Sequence, residues 1–388
     1  MTSRTRLWVL AISTPIIAFA VIGGYLGQAL AKDDTYQHLR VFQDVIQLVL
    51  NNYVEPVNVE KAMKGAMNGL SDSLDADSGF LSADLVKAYE ANAPLAQADP
   101  GLEVTRQYYI RVVSTREGSP AAKAGLRTGD YVRTIDAKPT RDMTVFEARR
   151  LLHGAPGTKV TLLVIRGNAA EPHTIELVRE RPTTPDVTSR TLDAGIGYIH
   201  VHRFSRQVPT QLRQAVDTLS KGGATRFVID IRGTAAGDLD DGVATARLFV
   251  KSGTLTIREA KGQSRETIAT QAGDGAVTAP VVLLTDQGTS GAAELFAAAL
   301  SGNARAQVVG ERTLGRAARQ RLVKLPDGSG LLLSNVRYLA PGNTPIHEHG
   351  VEPQVEVEQP DVEFGSEPPS TDATLQRALE LLSQRRAA

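Results

Sequence analysis

Two short apolar runs constrain this chain more than any other feature. One is Phe227-Val228-Ile229 within "RFVIDIRG", and the other is Val281-Val282-Leu283-Leu284 within "APVVLLTD". A brief apolar run without polar alternation is the pattern of a strand buried on both faces. Helical stretches alternate with these runs. "PTQLRQAVDTLSKGG" places Leu212, Ala215, Val216 and Leu219 on one face and ends on glycine; "DDGVATARLFV" and "GAAELFAAAL" follow in turn. "AGIGYIHVHRF" and "AQVVGER" add strands, and "KLPDGSGLLLSNVRYL" reads as a hairpin turning at Asp327-Gly328. From residue 183 to about 360 the alternation predicts an α/β core around a mostly parallel sheet.

Inside that alternation, "TDQGTSGAAELFAAAL" runs from Thr285 to Leu300. Strand, tight Gly turn and helix is a layout that presents a hydroxyl nucleophile at a helix N-terminus. Ser290 is the candidate hydroxyl, and a serine nucleophile needs a base.

Composition narrows the classes. The chain has 388 residues, a formal net charge of zero and no cysteine. Nucleic acid is therefore not a favoured partner, and disulfides, thiolate metal sites and a cysteine nucleophile are excluded. Arg4 and Arg6 precede a stretch from Leu7 to Ala31 with no charged side chain. About 20 apolar residues span a bilayer, so residues 1–35 are expected to be a signal anchor with its N-terminus in the cytoplasm. "ALAK" at Ala29–Lys32 keeps a cleaved signal peptide open as the alternative. Either way the bulk of the chain is expected in the periplasm or another extracytoplasmic space, tethered to the inner membrane if the anchor is retained.

Residues 36–95 read as a helical region, with Val41, Val45, Leu48 and Val49 at helical spacing. The Asp-rich "SLDADSGFLS" lacks the pattern of a calcium loop and is read as a solvated loop. A linker, "NAPLAQADPG", leads into a compact module over residues 96–182. Its series "EGSPAAKAGLRTGDYV" resembles a PDZ domain of the permuted bacterial kind. Such modules add a peptide C-terminus to an exposed strand edge and hold its carboxylate on backbone N–H groups. The turn "PGLEV", with Gly101, Leu102, Glu103 and Val104, is where that capture is expected. Residues 361–388 read as a linker and a terminal amphipathic helix.

The ordered strings "LDADSGFLS", "GYIHVHRF", "DIRGTAAGDLDDGVATARLF", "GERTLGRAARQ" and "LPDGSGLLLSNVRYL" together resemble the carboxyl-terminal processing peptidases, or tail-specific proteases, from about residue 36 onward. The resemblance implies a serine endopeptidase with a Ser–Lys dyad. The family serine lies in Gly-Ser-Ala-Ser-Ala-Ser-Glu, and the lysine in Thr-Phe-Gly-Lys-Gly-x-x-Gln. Aligned on Glu294, the nucleophile position is Gly291, with Thr289 and Ala293 on the flanking serines. Thr313 and Gly315 match the second motif, Gln320 matches its glutamine, and the lysine position is Arg316. An arginine keeps its proton up to a pKa above about 12 and offers no acceptor. Ser290 lies one residue early, a shift of roughly 100° if counted on a helix.

Family members carry Asn-Pro-Gly-Gly where this chain has Gly233-Thr234-Ala235-Ala236-Gly237. The amides of Gly237 and Ala292 are the candidate oxyanion donors, and an alanine in place of a glycine would oppose a positive φ. His200, His202, His347 and His349 are read as structural or solvated rather than as a rebuilt base, and Lys324 as lying along a strand. His-x-His is a metal-ligand spacing, but no third ligand follows at a diagnostic distance, so no metal and no cofactor are expected.

Three functional readings remain. The chain binds C-terminal peptide tails of exported proteins with catalysis lost or altered; or it is an active serine endopeptidase using Ser290 with a different base; or it is a scaffold that assembles with itself or with an active homologue. The missing Ser–Lys pair favours the first and third.

Overall fold

A computed structural model describes residues 36–92, 94–167, 171–192, 195–360, 362–364, 366 and 370–384. The expected anchor over residues 1–35 lies outside them. No helix of the described residues is long and apolar enough to cross a membrane.

The chain divides into two compact units between Ala66 and Met67. In the first, residues 36–52 form helix α1. Val41, Val45, Leu48 and Val49 recur on it as expected, but their side chains are exposed. Helix α2 (Val59–Asp72) follows.

The second unit holds three sheets. Strand β1 (Gly79–Leu81) and helix α3 (Ala83–Glu90) open it. The stretch expected to be helical thus contains a strand as well. β1 pairs antiparallel with β16 (Gly330–Leu339), about 250 residues further along the chain. That sheet also takes β11 (Thr254–Ala260), β12 (Glu266–Ala269) and β15 (Ala318–Lys324). β15 and β16 form the expected hairpin, with Gly328 at φ 86° in its turn.

The PDZ module is an antiparallel sheet in the order β2 (Leu102–Gln107), β3 (Tyr109–Thr115), β4 (Tyr131–Ile135), β6 (Lys159–Ile165), β7 (His173–Val178), with the short β5 (Lys138–Pro139) beside β4. Its helices are α4 (Pro120–Lys123) and α5 (Val145–Leu152). Thr144 caps α5 by accepting from the Glu147 N–H at 3.1 Å. β2 is an edge strand, and α5 packs beside it.

The core sheet runs β17 (Val355–Glu356), β14 (Ala306–Gly310), β13 (Val281–Thr285), β10 (Arg226–Asp230), β9 (Ile196–Val201), β8 (Val187–Leu192). All neighbours are parallel except β8 with β9. The apolar runs are explained by helices on both faces. Phe227 and Ile229 point toward α6 (Val208–Lys221), α7 (Leu239–Ala246) and α8 (Ala292–Gly302). Val228, Val282 and Leu284 point the other way, onto Ala378 and Leu382 of α9 (Ala373–Gln384). The terminal helix is therefore one wall of the core sheet.

α7 and α8 approach closely through Gly242, where an added Cβ would lie 2.0 Å from the Ala292 carbonyl oxygen. Gly242→Ala should force the helices apart and cost about 1–3 kcal/mol. Gly69→Ala in α2, where a Cβ meets open space, should cost nothing. Urea denaturation checks this, and equal midpoints for the two variants would contradict the packing described.

Candidate active site

The turn between β13 and α8 is held by two carboxylates, Asp286 and Glu294. Asp286 accepts from Gly233 N–H at 2.9 Å, Gly288 N–H at 3.0 Å and the Thr289 hydroxyl at 3.0 Å. Burial pushes its pKa up, and these donors oppose the shift. Five residues on, Gly291 sits at φ 64° and ψ −118° as the N-cap of α8. A residue with a side chain is held in such a conformation only under strain of about 1–3 kcal/mol. A Cβ at Gly291 would nevertheless meet nothing closer than 3.8 Å, from the Arg316 carbonyl oxygen and Leu239 Cδ2. The strained strand-to-helix turn is present with room for a nucleophile, and a glycine fills it.

Glu294, fully buried on the first turn of α8, ties this turn to the loop carrying Arg316. One carboxylate oxygen accepts from Gly291 N–H at 2.9 Å and Arg316 N–H at 2.7 Å. The other accepts from Gly315 N–H and the Thr313 hydroxyl, both at 2.5 Å. Burial raises its pKa and the four donors pull it back. Thr313 Oγ1 also accepts from Val351 N–H at 2.8 Å, and Gly315 O accepts from Glu348 N–H at 2.8 Å. The loop containing His347 and His349 thus packs on the backbone of the Arg316 loop.

The Arg316 side chain is half-buried and committed. Nε donates to Asp77 Oδ2 at 3.0 Å, Nη2 lies 2.6 Å from Asp77 Oδ1, and Nη1 donates to the Val104 carbonyl at 3.2 Å. Burial works against its charge, but the Asp77 carboxylate outweighs that and raises its pKa further. Removing one partner of such a buried pair typically costs about 3–5 kcal/mol. The Asp-rich stretch is therefore not a solvated loop. Asp77 side-chain exposure is only 8 %, and Asp75 closes its own turn by accepting from the N–H groups of Asp77 and Ser78 at 2.9 and 2.7 Å.

Ser290, 2 % exposed, donates its N–H to Thr234 O at 3.0 Å. It borders a groove of about 350 Å³ together with Gly291, Arg316 and Gln320. No histidine or lysine among the described residues lines it. His347 lies instead beside Asp75, with Nε2 3.8 Å from Oδ2. His200 and His202 face Glu117, and Lys324 pairs with Glu90 at 2.8 Å at the far end of β15. Gln320 projects from β15, its amide 3.3 Å from the Ala318 carbonyl.

The oxyanion candidates keep their backbone. Gly237 sits at φ 136°, and a Cβ there would fall 2.5 Å from Phe204 O, so this position needs glycine. Ala235 and Ala236 have no positive φ, which removes the conflict expected for alanines here. Among the described residues, neither Gly237 N–H nor Ala292 N–H has a partner.

The expected carboxylate-capture turn is corrected. Gly101 N–H already donates to Asp99 Oδ1 at 2.5 Å, and Arg116 holds the same carboxylate at 3.0 Å. Leu102, Glu103 and Val104 belong to β2. Glu103 borders the groove, 3.9 Å from Arg149 of α5, so the edge of the PDZ sheet opens onto the site of Ser290 and Gly291.

A PDZ sheet docked on an α/β core, with a strand-to-helix serine-type turn between them, defines a serine-peptidase fold. Residues 195–357 match the profile of peptidase family S41, and residues 111–166 match that of the PDZ domain. The chain is 30% identical to the carboxy-terminal processing protease CtpA of Bacillus subtilis over 93% of this chain and 79% of that one. It is 31% identical to a carboxyl-terminal-processing protease of Synechocystis over 71% and 65%. The solved photosystem II D1 C-terminal processing protease superposes with a TM-score of 0.67 at 27% identity, covering 81% of this chain and 86% of that chain. The chain belongs to the carboxyl-terminal processing peptidase family.

The Asp75–His347 pair gives a pH signature. Burial pushes His347 down, but the Asp75 charge outweighs it and raises the pKa above about 6.5. The folded state then holds a proton that the unfolded chain releases. This contribution is fully present below about pH 6.5 and is lost as pH rises through the folded value. The stability difference between the native chain and His347→Gln should shrink from pH 6 to 9. A difference that grows over this range in chemical denaturation would contradict the assignment.

Proposed function

We propose that this chain is a non-hydrolysing member of its family that holds C-terminal peptide tails of exported proteins between PDZ strand β2 and the core. The observation that carries this reading is Arg316, a guanidinium pinned by Asp77 and the Val104 carbonyl, beside a nucleophile position that is Gly291. A protonated guanidinium cannot take a hydroxyl proton. The groove-lining ionisable groups are Arg149, Arg316, Arg319, Asp77, Glu103 and Asp238, which suits peptide binding better than proton transfer near neutral pH. A tail would add to the β2 edge, with Arg149 as its cationic neighbour, since the Gly101 amide is taken.

Export and membrane tethering belong to the same proposal. They are supported by Arg4 and Arg6 ahead of the uncharged stretch Leu7–Ala31.

Turnover of an unfolded protein substrate tests the catalytic half. The native chain, Gly291→Ser and Arg316→Lys should each be inactive. The double variant should stay weak, because Asp77 would hold the new amine protonated. Adding Asp77→Asn should raise turnover by at least about 100-fold over the double variant, the scale of a single general base. Robust turnover by the native chain that is abolished by Ser290→Ala would overturn the reading.

A further inference from the structure

We propose that Glu117, His200 and His202 form a zinc site that joins the PDZ module to the core. The His-x-His pair lacks a third ligand at any nearby spacing in the sequence, and the fold supplies it from the other module. His200 is the penultimate residue of β9, opposite Asp230 on β10 and Thr188 on β8. His202 lies two residues further, on the same face of the chain. The two rings stand 4.0 Å apart between centroids. Above them is the loop between β3 and α4, where Glu117 precedes Gly118 at φ 71°.

The donor atoms converge. His200 Nδ1 lies 3.8 Å and His202 Nδ1 3.7 Å from the same oxygen, Glu117 Oε2. One ligand atom from each of the three residues falls within 4.8 Å of the others. A tetrahedral zinc with bonds of about 2.0–2.2 Å separates its ligands by roughly 3.3–3.6 Å, so the set closes with small shifts of the exposed Glu117 side chain and of the two imidazole rings. His202 Nε2 is engaged by the Thr188 hydroxyl at 2.9 Å. That is the outer contact that fixes the ring and directs Nδ1 to a metal. The Glu117 backbone is held in turn, its carbonyl accepting from the Thr184 hydroxyl at 3.2 Å.

With both Nδ1 atoms unprotonated, two imidazole lone pairs and a carboxylate would face one point, and a divalent cation there turns their repulsion into attraction. Two nitrogens and one carboxylate suit zinc, whereas calcium and magnesium take all-oxygen sets. Side-chain exposure rises from 8 % at His202 to 23 % at His200 and 71 % at Glu117. The open side admits the ion and leaves a place for water. Bound zinc would clamp the loop before α4 to the end of β9, fixing how the PDZ module sits on the core.

Titration calorimetry of the full-length chain with Zn²⁺, after chelator treatment, tests this. One ion per chain should bind. Glu117→Gln and Thr188→Val should each weaken binding about tenfold or more, and His200→Asn/His202→Asn should abolish it. Zinc should raise the melting temperature of the native chain and not that of the double variant. Glu117 is exposed, so its variant separates loss of a ligand from loss of the fold. Absence of zinc binding by the native chain would overturn the proposal. So would affinity unchanged in Glu117→Gln, which would reduce the site to an adventitious histidine pair.

Discussion

A single carboxylate organises the centre of this molecule. Glu294 receives four hydrogen bonds, from the N–H groups of Gly291, Gly315 and Arg316 and from the Thr313 hydroxyl. Every partner is a donor, so the ionised form satisfies them all, and those bonds reduce the cost of burying the charge without cancelling it, leaving the pKa raised. The turn at the N-terminus of α8 and the loop leading to β15 are far apart in sequence, yet they cannot shift independently. The remaining contacts of the site depend on that fixed spacing: Arg316 reaches Asp77 and Val104, and the open Cβ position at Gly291 faces the Arg316 carbonyl.

The scaffold of a serine peptidase therefore persists around different side chains. Glycine at 291 keeps the backbone that a nucleophile turn requires and avoids the strain a side chain would feel there. Arginine at 316 converts the base position into half of a largely buried ion pair. Such a pair adds little net stability but is costly to break, so the two substitutions favour a fixed groove over proton transfer. Gly237 keeps the backbone position that only glycine can take there, since a Cβ would fall 2.5 Å from the Phe204 carbonyl oxygen.

Much of this was legible in the sequence. The uninterrupted apolar runs at Phe227–Ile229 and Val281–Leu284 foretold a sheet covered on both faces, and α6–α8 and α9 cover it. The motif around Glu294 aligned Gly291 and Arg316 because local spacing sets their places on one turn and one loop. Long-range pairing left no local trace. Asp77 meets Arg316 across 239 residues, β1 joins a strand at the other end of the chain, and Glu117 reaches His200 and His202 from another module. The occupied Gly101 amide was hidden for a different reason. Asp99 is only two residues away, but its orientation depends on Arg116 folding back across the turn.

The central claim, that a peptidase turn is kept with its chemistry replaced, is tested most directly by intact-mass measurement after treatment with a fluorophosphonate, which labels activated serines. The native full-length chain should remain unmodified under conditions that label an active serine peptidase to completion. A stoichiometric adduct mapping to Ser290 would contradict the account, because it would require a working base where Arg316 now holds Asp77.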